Sequence, residues 1–294
     1  MNTVSFPGLG LEFNINPVAF NFFGGKPVYW YGIIIVAGIL IACLLAVKNG
    51  KKVNITSEHI SDYMLITITL SVIGARLYYV ILKWENYVDD PMEIIRIWNG
   101  GLAIYGAVIM AVITMILYCR TNRIRLYDFL DIGAISLILG QSIGRWGNFM
   151  NMEAHGGETE SFLRMGITEG GRYMEVHPTF LYESLWNIVG FAILLIMFYK
   201  FRKFAGQIFW SYAVWYGFGR FFIESLRTDS LMIGPVRVSQ IVSAVIFIAG
   251  VAMLIKEFKK PYCPVTGELY KTEESVDSDN ESTENPDEKE SEEE

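Results

Sequence analysis

The sequence predicts an all-α integral membrane protein with seven transmembrane helices, its N-terminus outside and its C-terminus inside. Three observations support this prediction: the composition, the long apolar segments, and the distribution of basic residues between those segments. The 294 residues are 52% hydrophobic and have a mean hydropathy of +0.33. Soluble domains of this length rarely reach that balance, so we expect much of the apolar surface to face lipid.

Seven apolar segments are long enough, or nearly so, to cross a bilayer as helices of about 17–25 residues. They lie near residues 28–47, 63–82, 101–119, 128–144, 178–199, 207–223 and 238–255. The fourth and sixth are short and contain glycine, which makes their ends hard to place. Residues 1–260 are therefore expected to form one membrane domain, with a long extracytoplasmic loop at about 145–177.

The orientation follows from four short basic clusters. They are KNGKK after the first span, RTNRIR after the third, KFRK after the fifth and KEFKK after the seventh. Together they hold 12 basic residues, against 8 in the longer and more acidic loops on the other side. Because basic residues concentrate in cytoplasmic loops, these four loops are predicted to be cytoplasmic.

The formal charge of −7 is concentrated at the C-terminus. Residues 261–294 hold 13 acids and 2 lysines, whereas residues 1–260 carry 18 acids and 22 bases. Such a segment buries too little apolar surface to offset its ordering entropy, so it is predicted to be an acidic disordered cytoplasmic tail. A tail that binds a cytoplasmic partner and a solvated tail without function both remain open.

Unusual polar residues in six of the spans fall at one depth, near the predicted outer ends. Polar residues in lipid-embedded segments are costly and are usually functional or paired. The set comprises Tyr31, Gly32, Arg76, Tyr105, Arg145, Asn148, Glu153, His177, Tyr182, Glu183, Arg220 and Glu224. Independent structural ion pairs would scatter over both leaflets, so this convergence indicates a single site in the outer half of the bilayer.

Several of these residues also have a structural interpretation. Arg76 could extend its side chain to the outer headgroups. Arg220 and Glu224 are four residues apart, so they could simply pair on one helix face. Tyr31 suits an interfacial aromatic belt, and His177 could anchor the start of the fifth helix.

The stretch GRWGNFMNMEAHGG, directly after the fourth apolar segment, is the strongest functional signal. Arg145 offers a planar fork for a phosphate, and Asn148 and Asn151 add neutral donors. Glu153 can orient an arginine or accept a proton, and the glycines let the backbone approach a ligand closely. With Arg220, this chemistry indicates an outward-facing site for a phospholipid, but it does not specify the reaction.

This stretch strongly resembles the signature G-R-x-G-N-F-x-N-x-E-x-x-G of the bacterial prolipoprotein diacylglyceryl transferase family. Other segments agree with the family in the same order along the chain. They are YWYG, GARLYYV, WNGGLAIYG, HPTFLYE and YGFGRFFIESLR. The resemblance extends over residues 15–258 and leaves out only the tail.

The resemblance implies a seven-span enzyme of the bacterial plasma membrane whose active site faces the extracytoplasmic side. The implied reaction transfers diacylglyceryl from phosphatidylglycerol to the thiol of the lipobox cysteine of a prolipoprotein, the first step of lipoprotein maturation. Its products are a thioether and glycerol 1-phosphate. No metal or cofactor is implied. The expected partners are phosphatidylglycerol, the lipobox peptide and the lipid bilayer, and no nucleic acid is expected.

The resemblance also assigns roles by position in the motifs. Arg220 matches the second essential arginine of the family, and Tyr31 matches the tyrosine of the first span. The predicted catalytic residues are Arg145, Arg220, Tyr105, Asn148 and Glu153. The predicted substrate-binding residues are Arg145, Tyr31, Asn151, Gly156 and His177.

One position departs from part of the family. Some members carry a histidine, proposed as the base, where this chain has Tyr105. A phenol has an ordinary pKa near 10 and is a poor base at neutral pH. Tyr105 could orient the phosphate or relay a proton, while His177 or Glu153 could be the base. It is also open that no strong base is needed, because a thiol of ordinary pKa about 8.5 is already partly ionised.

Two other function classes fit the apolar spans less well. A transporter with an arginine-gated vestibule would need access from both faces, yet the polar groups lie on one side and no inverted repeat is visible. An intramembrane peptidase would need a suitable catalytic pair. Asp131 lies about 21 Å from Arg145 at the helical rise per residue, so a structural role suits it better.

Overall fold

The computed structural model describes residues 2–22, 25–228, 232–234 and 236–260. The predicted acidic tail, residues 261–294, lies outside these residues. Seven long helices dominate the described part of the chain. They are α1 (Trp30–Gly50), α2 (Ser57–Leu82), α3 (Ile104–Thr121), α4 (Leu126–Asn151), α5 (Thr179–Ile196), α6 (Gln207–Leu226) and α7 (Val238–Phe258). Helix α5 continues as one π-helical turn, Met197–Phe201.

Six of these helices are long and apolar enough to cross a membrane, and α6 is the exception. Helix α6 is 20 residues long but carries Gln207, Arg220 and Glu224, which lower its apolar content. The prediction of a mostly helical, multi-pass membrane protein is confirmed. The seventh span stays a prediction.

Helix α4 is longer than the sequence indicated. The fourth span was expected to end at Gly144, with a loop from about residue 145, but the helix continues to Asn151. Glycines lower helix propensity, yet here they allow close packing on α1. A Cβ at Gly144 would lie 3.4 Å from the side chain of Ile35, and one at Gly147 would lie 2.9 Å from the ring of Tyr31. The signature stretch therefore begins on a packed helix rather than in a loop.

Short antiparallel strands accompany the helices, so the strictly all-α prediction is corrected. Strands β1 (Asn2–Phe6), β2 (Leu11–Ile15), β5 (Met165–Glu169) and β6 (Arg172–Val176) form one sheet in the order β2-β1-β5-β6. Two smaller pairs are β3 (Val18–Phe22) with β4 (Lys26–Tyr29), and β7 (Met232–Ile233) with β8 (Val236–Arg237). The four-stranded sheet joins the N-terminus to the segment between α4 and α5, which was expected to be a loop.

This sheet packs on one end of the helix bundle, which we call the sheet end. Its buried core consists of Val4, Phe6, Ile15, Met165, Ile167, Val176 and Phe180. Phe180 on α5 stacks on Phe149 on α4 with ring centroids 4.6 Å apart, and Phe149 packs against the same core. The sheet therefore holds the last turns of α4 against the first turn of α5.

A reciprocal tryptophan pair sets the spacing of α5 and α6. Trp186 and Trp215 stack with ring centroids 4.3 Å apart, and each indole N–H donates to the backbone oxygen of the other residue at 3.1 Å. Gly190 and Gly219 leave room for the rings, because a Cβ there would lie 2.2 Å and 2.0 Å from an indole nitrogen. The two helices are thus fixed within one turn of Glu183 and within two turns of Arg220.

At the opposite end of the bundle, Asp131 has a structural role, in agreement with its predicted depth. Its carboxylate accepts hydrogen bonds from the backbone N–H groups of Gly206 and Phe209 and from Nε of Arg202, each at 2.9 Å. It therefore joins α4 to the first turn of α6, where backbone N–H groups lack helical partners.

Candidate active site

One buried carboxylate joins the two arginines that the sequence singled out. Glu183, in the second turn of α5, accepts from Nη2 of Arg145 at 2.6 Å through Oε1 and from Nη1 of Arg220 at 2.8 Å through Oε2. The side chain of Glu183 is 2% exposed, whereas those of Arg145 and Arg220 are 21% and 14% exposed. Three helices therefore meet at a single charged centre at the sheet end.

A second buried acid, Glu224, gives the centre two carboxylates for its two guanidinium groups. Nη2 of Arg220 lies 2.6 Å from Oε2 of Glu224, which is also 2% exposed. Both guanidinium groups are thus held in fixed orientations inside a region of low dielectric, where such contacts are stronger than in water. Guanidinium groups have further N–H donors beyond these contacts, so the centre can still bind an anion.

The signature stretch extends this centre towards solvent. Arg145 donates from Nη1 to Oδ1 of Asn148 at 3.2 Å, and Nδ2 of Asn148 donates to Oε1 of Glu153 at 2.8 Å. Glu153 is exposed and lies between Met152 and Ala154, whose φ angles are +53° and +58°. Non-glycine residues adopt this left-handed conformation at a cost. The strained turn places Glu153 beside Asn148 and not farther along a continued helix.

Gly156 lies where three backbone segments meet. Its N–H donates to the oxygen of His177 at 2.9 Å, and the N–H of Gly157 donates to the oxygen of Leu226 at 2.9 Å. A Cβ at Gly156 would lie 2.7 Å from Cβ of His177 and 2.9 Å from the oxygen of Leu226. Only glycine fits there, and the contact ties the turn after α4 to the start of α5 and the end of α6.

A groove of about 890 Å³ runs along α1. Tyr31 and Asn151 line its end near the sheet, and Val36, Ala37 and Leu40 form part of its apolar wall. The ring of Tyr31 packs over Gly147 of the signature stretch. The predicted substrate-binding residues Tyr31 and Asn151 therefore line an apolar groove that adjoins the signature stretch.

Comparison with known proteins identifies the family. A family model described as prolipoprotein diacylglyceryl transferase matches residues 17–256. The chain belongs to this family. The predicted family and its transferase class are thereby confirmed.

Among similar proteins are three named phosphatidylglycerol–prolipoprotein diacylglyceryl transferase. The relative from Limosilactobacillus reuteri (strain DSM 20016) is 44% identical over 260 residues, which cover 84% of this chain and 92% of the relative. The relative from Listeria welshimeri is 45% identical over 252 residues, covering 82% and 89%. The relative from Pediococcus pentosaceus is 46% identical over 252 residues, covering 82% and 90%.

Tyr105 and His177, two of the predicted site residues of this family member, are among those that make no bond with the charged centre in the described part of the chain. Tyr105 is the second residue of α3, is 43% exposed, and has Tyr78 as its ring neighbour at 6.5 Å. Within the described residues, it makes no hydrogen bond with either arginine. The side chain of His177 has its Nδ1 3.4 Å from the hydroxyl of Tyr182, while its backbone pairs with Gly156 and Gly157.

Arg76 has a different environment from the one expected of a snorkelling side chain. It is 5% exposed, and its guanidinium donates to the backbone oxygens of Glu93, Ile94, Gly100 and Gly101 at 2.5–3.0 Å. The headgroup-directed interpretation of Arg76 is therefore wrong. The alternative for Arg220 and Glu224, an ion pair on one helix face, is correct but incomplete, because Arg220 also binds α5.

Neither Glu183 nor Glu224 is among the site residues predicted from the sequence. Glu183 stood out only by its depth, and Glu224 by its depth and its spacing from Arg220. Glu183 lies in the HPTFLYE segment, in an otherwise apolar helix, and an ionisable residue in such a helix needs a partner. The two arginines on other spans were the available partners, so this signal was present in the sequence.

The packing at Gly156 predicts a sharp difference between two neighbouring glycines. Gly156→Ala should lower transferase activity on the order of 10- to 100-fold, because the backbone shift misplaces the turn that carries Glu153. Gly157→Ala is the matched control and should keep most activity, since its Cβ would meet only the methyl group of Thr228 at 3.9 Å. Activity is measured at equal membrane abundance, and equal rates in the two variants would contradict this assignment.

Proposed function

We propose that the chain transfers the diacylglyceryl group of phosphatidylglycerol to the thiol of the lipobox cysteine of prolipoproteins, releasing glycerol 1-phosphate. The names of the similar proteins support the two substrate classes. The observation that supports placing the reaction at this site is the pair of arginines, Arg145 and Arg220, which share the buried carboxylate of Glu183.

The phosphate of the lipid is proposed to bind between Arg145 and Arg220. Glu183 and Glu224 hold these side chains in place before the lipid arrives, so little side-chain entropy is lost on binding. The remaining N–H donors then bind the phosphate oxygens as charge-assisted hydrogen bonds. Asn148, already bonded to Arg145, helps to hold that guanidinium in place.

The proposed reaction is a displacement at the carbon of the diacylglyceryl unit that bears the phosphate, not at the glycerol of the headgroup. The thiolate sulfur forms a bond to this carbon while the bond from the carbon to the phosphate oxygen breaks. Glycerol 1-phosphate leaves with the bonding electron pair. Charge grows on the phosphate oxygens as the bond breaks, and the preoriented guanidinium groups of Arg145 and Arg220 stabilise it.

Glu153 is the proposed acceptor of the thiol proton. It is exposed, so a thiol arriving from outside the bundle can reach it, and it is joined to Arg145 through Asn148. The carboxylate of Glu183 is a poorer candidate because both of its oxygens are bound to guanidinium groups. Tyr105 is proposed to orient the lipid headgroup from α3. His177 is proposed to hold the turn at Gly156 in place beside the substrate.

The acyl chains are proposed to lie in the groove along α1. Most of its lining is apolar, as at Val36, Ala37 and Leu40, so it suits hydrocarbon, and the ring of Tyr31 in its lining packs over Gly147 of the signature stretch.

We further propose seven spans, with the N-terminus and the active site on the extracytoplasmic side. Three basic clusters between spans and a fourth after the seventh span support this orientation. Helix α6 is the proposed sixth span although it is less apolar. Its charged groups, Arg220 and Glu224, are paired and largely buried against other helices, so they do not face lipid. Residues 261–294 would then form a cytoplasmic tail.

The proposed function predicts both products of the reaction in one assay. Purified protein is incubated with phosphatidylglycerol labelled in its headgroup glycerol and with a lipobox peptide. We expect a diacylglyceryl thioether and an equal amount of released glycerol phosphate. A peptide with serine in place of the lipobox cysteine is the control and should give neither product. Absence of both products with the cysteine peptide would contradict the proposal.

The role of the guanidinium fork predicts that charge alone is not enough at position 145. Arg145→Lys should reduce transfer on the order of 10²-fold or more, because an ammonium cannot hold both Glu183 and the phosphate in a planar arrangement. Arg172→Lys, in an exposed ion pair with Glu158 on the sheet, is the matched control and should keep normal activity. Near-normal transfer by inserted Arg145→Lys protein would show that the fork is unnecessary.

A further inference from the structure

The connection between α2 and α3 returns into the bundle before α3 begins. The N–H of Ala103 donates to the backbone oxygen of Ala75 at 3.1 Å. At about 1.5 Å of rise per residue, Ala75 lies about 10 Å from Leu82 along α2. The apolar surface of α2 extends to its end, where Ile81 and Leu82 are 73% and 63% exposed. Residues 97–103 therefore descend beside a helix surface suited to lipid.

The larger side chains of this segment are apolar and exposed, and its one polar side chain, Asn99, donates to Glu93 at 2.6 Å. Trp98 is 75% exposed, Leu102 is 50% exposed, and Ile104 at the start of α3 is 71% exposed. They continue the exposed apolar surfaces of α2 and α3. The preceding polar turn holds Arg96 paired to Asp90 and Glu93, although Met92 and Ile95 in it are exposed as well. The connection thus carries charged side chains before residue 97 and none from residue 97 to residue 103.

A non-helical backbone in hydrocarbon needs internal hydrogen-bond partners, and Arg76 supplies them here. Its guanidinium donates to the oxygens of Gly100 at 2.7 Å and Gly101 at 3.0 Å, and to two more oxygens in the polar turn. Gly101, with a φ angle of +74°, fits against this group because a Cβ would lie 2.4 Å from Nη1 of Arg76. The donor is thus built into α2 rather than provided by water.

We propose that residues 97–103 form a re-entrant segment that lies in the bilayer on the same side as the charged centre. Trp98 faces the lipid chains, and Arg76 replaces water as the partner of the backbone oxygens. The occupant of this surface is membrane lipid, because the segment is continuous with the exposed apolar surfaces of two spanning helices. This inference rests on membrane insertion and not on the proposed reaction.

The depth of Trp98 can be measured with a nitroxide at Trp98→Cys in protein lacking Cys43, Cys119 and Cys263, in phosphatidylcholine nanodiscs. We expect the label to be accessible to oxygen and shielded from a water-soluble nickel reagent, as at the lipid-facing control Leu65→Cys. A label at Tyr173→Cys on the sheet should show the opposite pattern. Accessibility like that of position 173, or shielding from both reagents, would overturn the proposal.

Native protein provides a second measurement that does not depend on the cysteine-free background. Brominated lipids quench tryptophans that face the hydrocarbon, so wild type should lose more fluorescence than Trp98→Phe. An equal loss of fluorescence in the two proteins would also overturn the proposal. In the labelled protein, Arg76→Lys should raise nickel access at position 98 at least about twofold, because a compact ammonium cannot bind four backbone oxygens. Unchanged access would remove Arg76 from the proposal.

Discussion

The ion pairs of Glu183 are the interaction on which the arrangement of the site depends. A carboxylate that is 2% exposed needs both of its partners, Arg145 and Arg220. Removing one partner of a buried ion pair typically costs about 3–5 kcal/mol, because the other charge stays buried without compensation. The three helices that carry these residues are therefore held in one arrangement, and the guanidinium groups are oriented before any ligand binds.

The rest of the structure supports this centre from two directions. The tryptophan pair of α5 and α6 fixes the helix spacing within a turn of Glu183, and the four-stranded sheet holds α4 against α5 through Phe149 and Phe180. Gly156 then joins the turn after α4 to both neighbouring helices. Charged groups at the edge of an apolar bundle are thus positioned by packing as well as by their own ion pairs.

The helices and the polar cluster could be predicted from the sequence because both depend on local patterns. Arg145 and Glu153 stand in a specific signature, and the structure joins them through one intervening asparagine. The sequence indicated that Glu183 needs a partner, but it did not show that Arg145 and Arg220 share this carboxylate, since several acids lie at the same depth. The four-stranded sheet was not predicted from the sequence. In this sheet, Ser5 pairs with Gly166, which is far away along the chain. Pairing of this kind leaves no local signal beyond short alternating segments.

The central claim is that the two arginines held by Glu183 form the phosphate site. The most direct test is an experimental structure of the protein with phosphatidylglycerol bound. The phosphate oxygens should lie within about 3 Å of guanidinium nitrogens of both Arg145 and Arg220, with Glu183 still between the two side chains. A bound phosphate that contacts neither arginine, in protein that still performs transfer, would contradict the account.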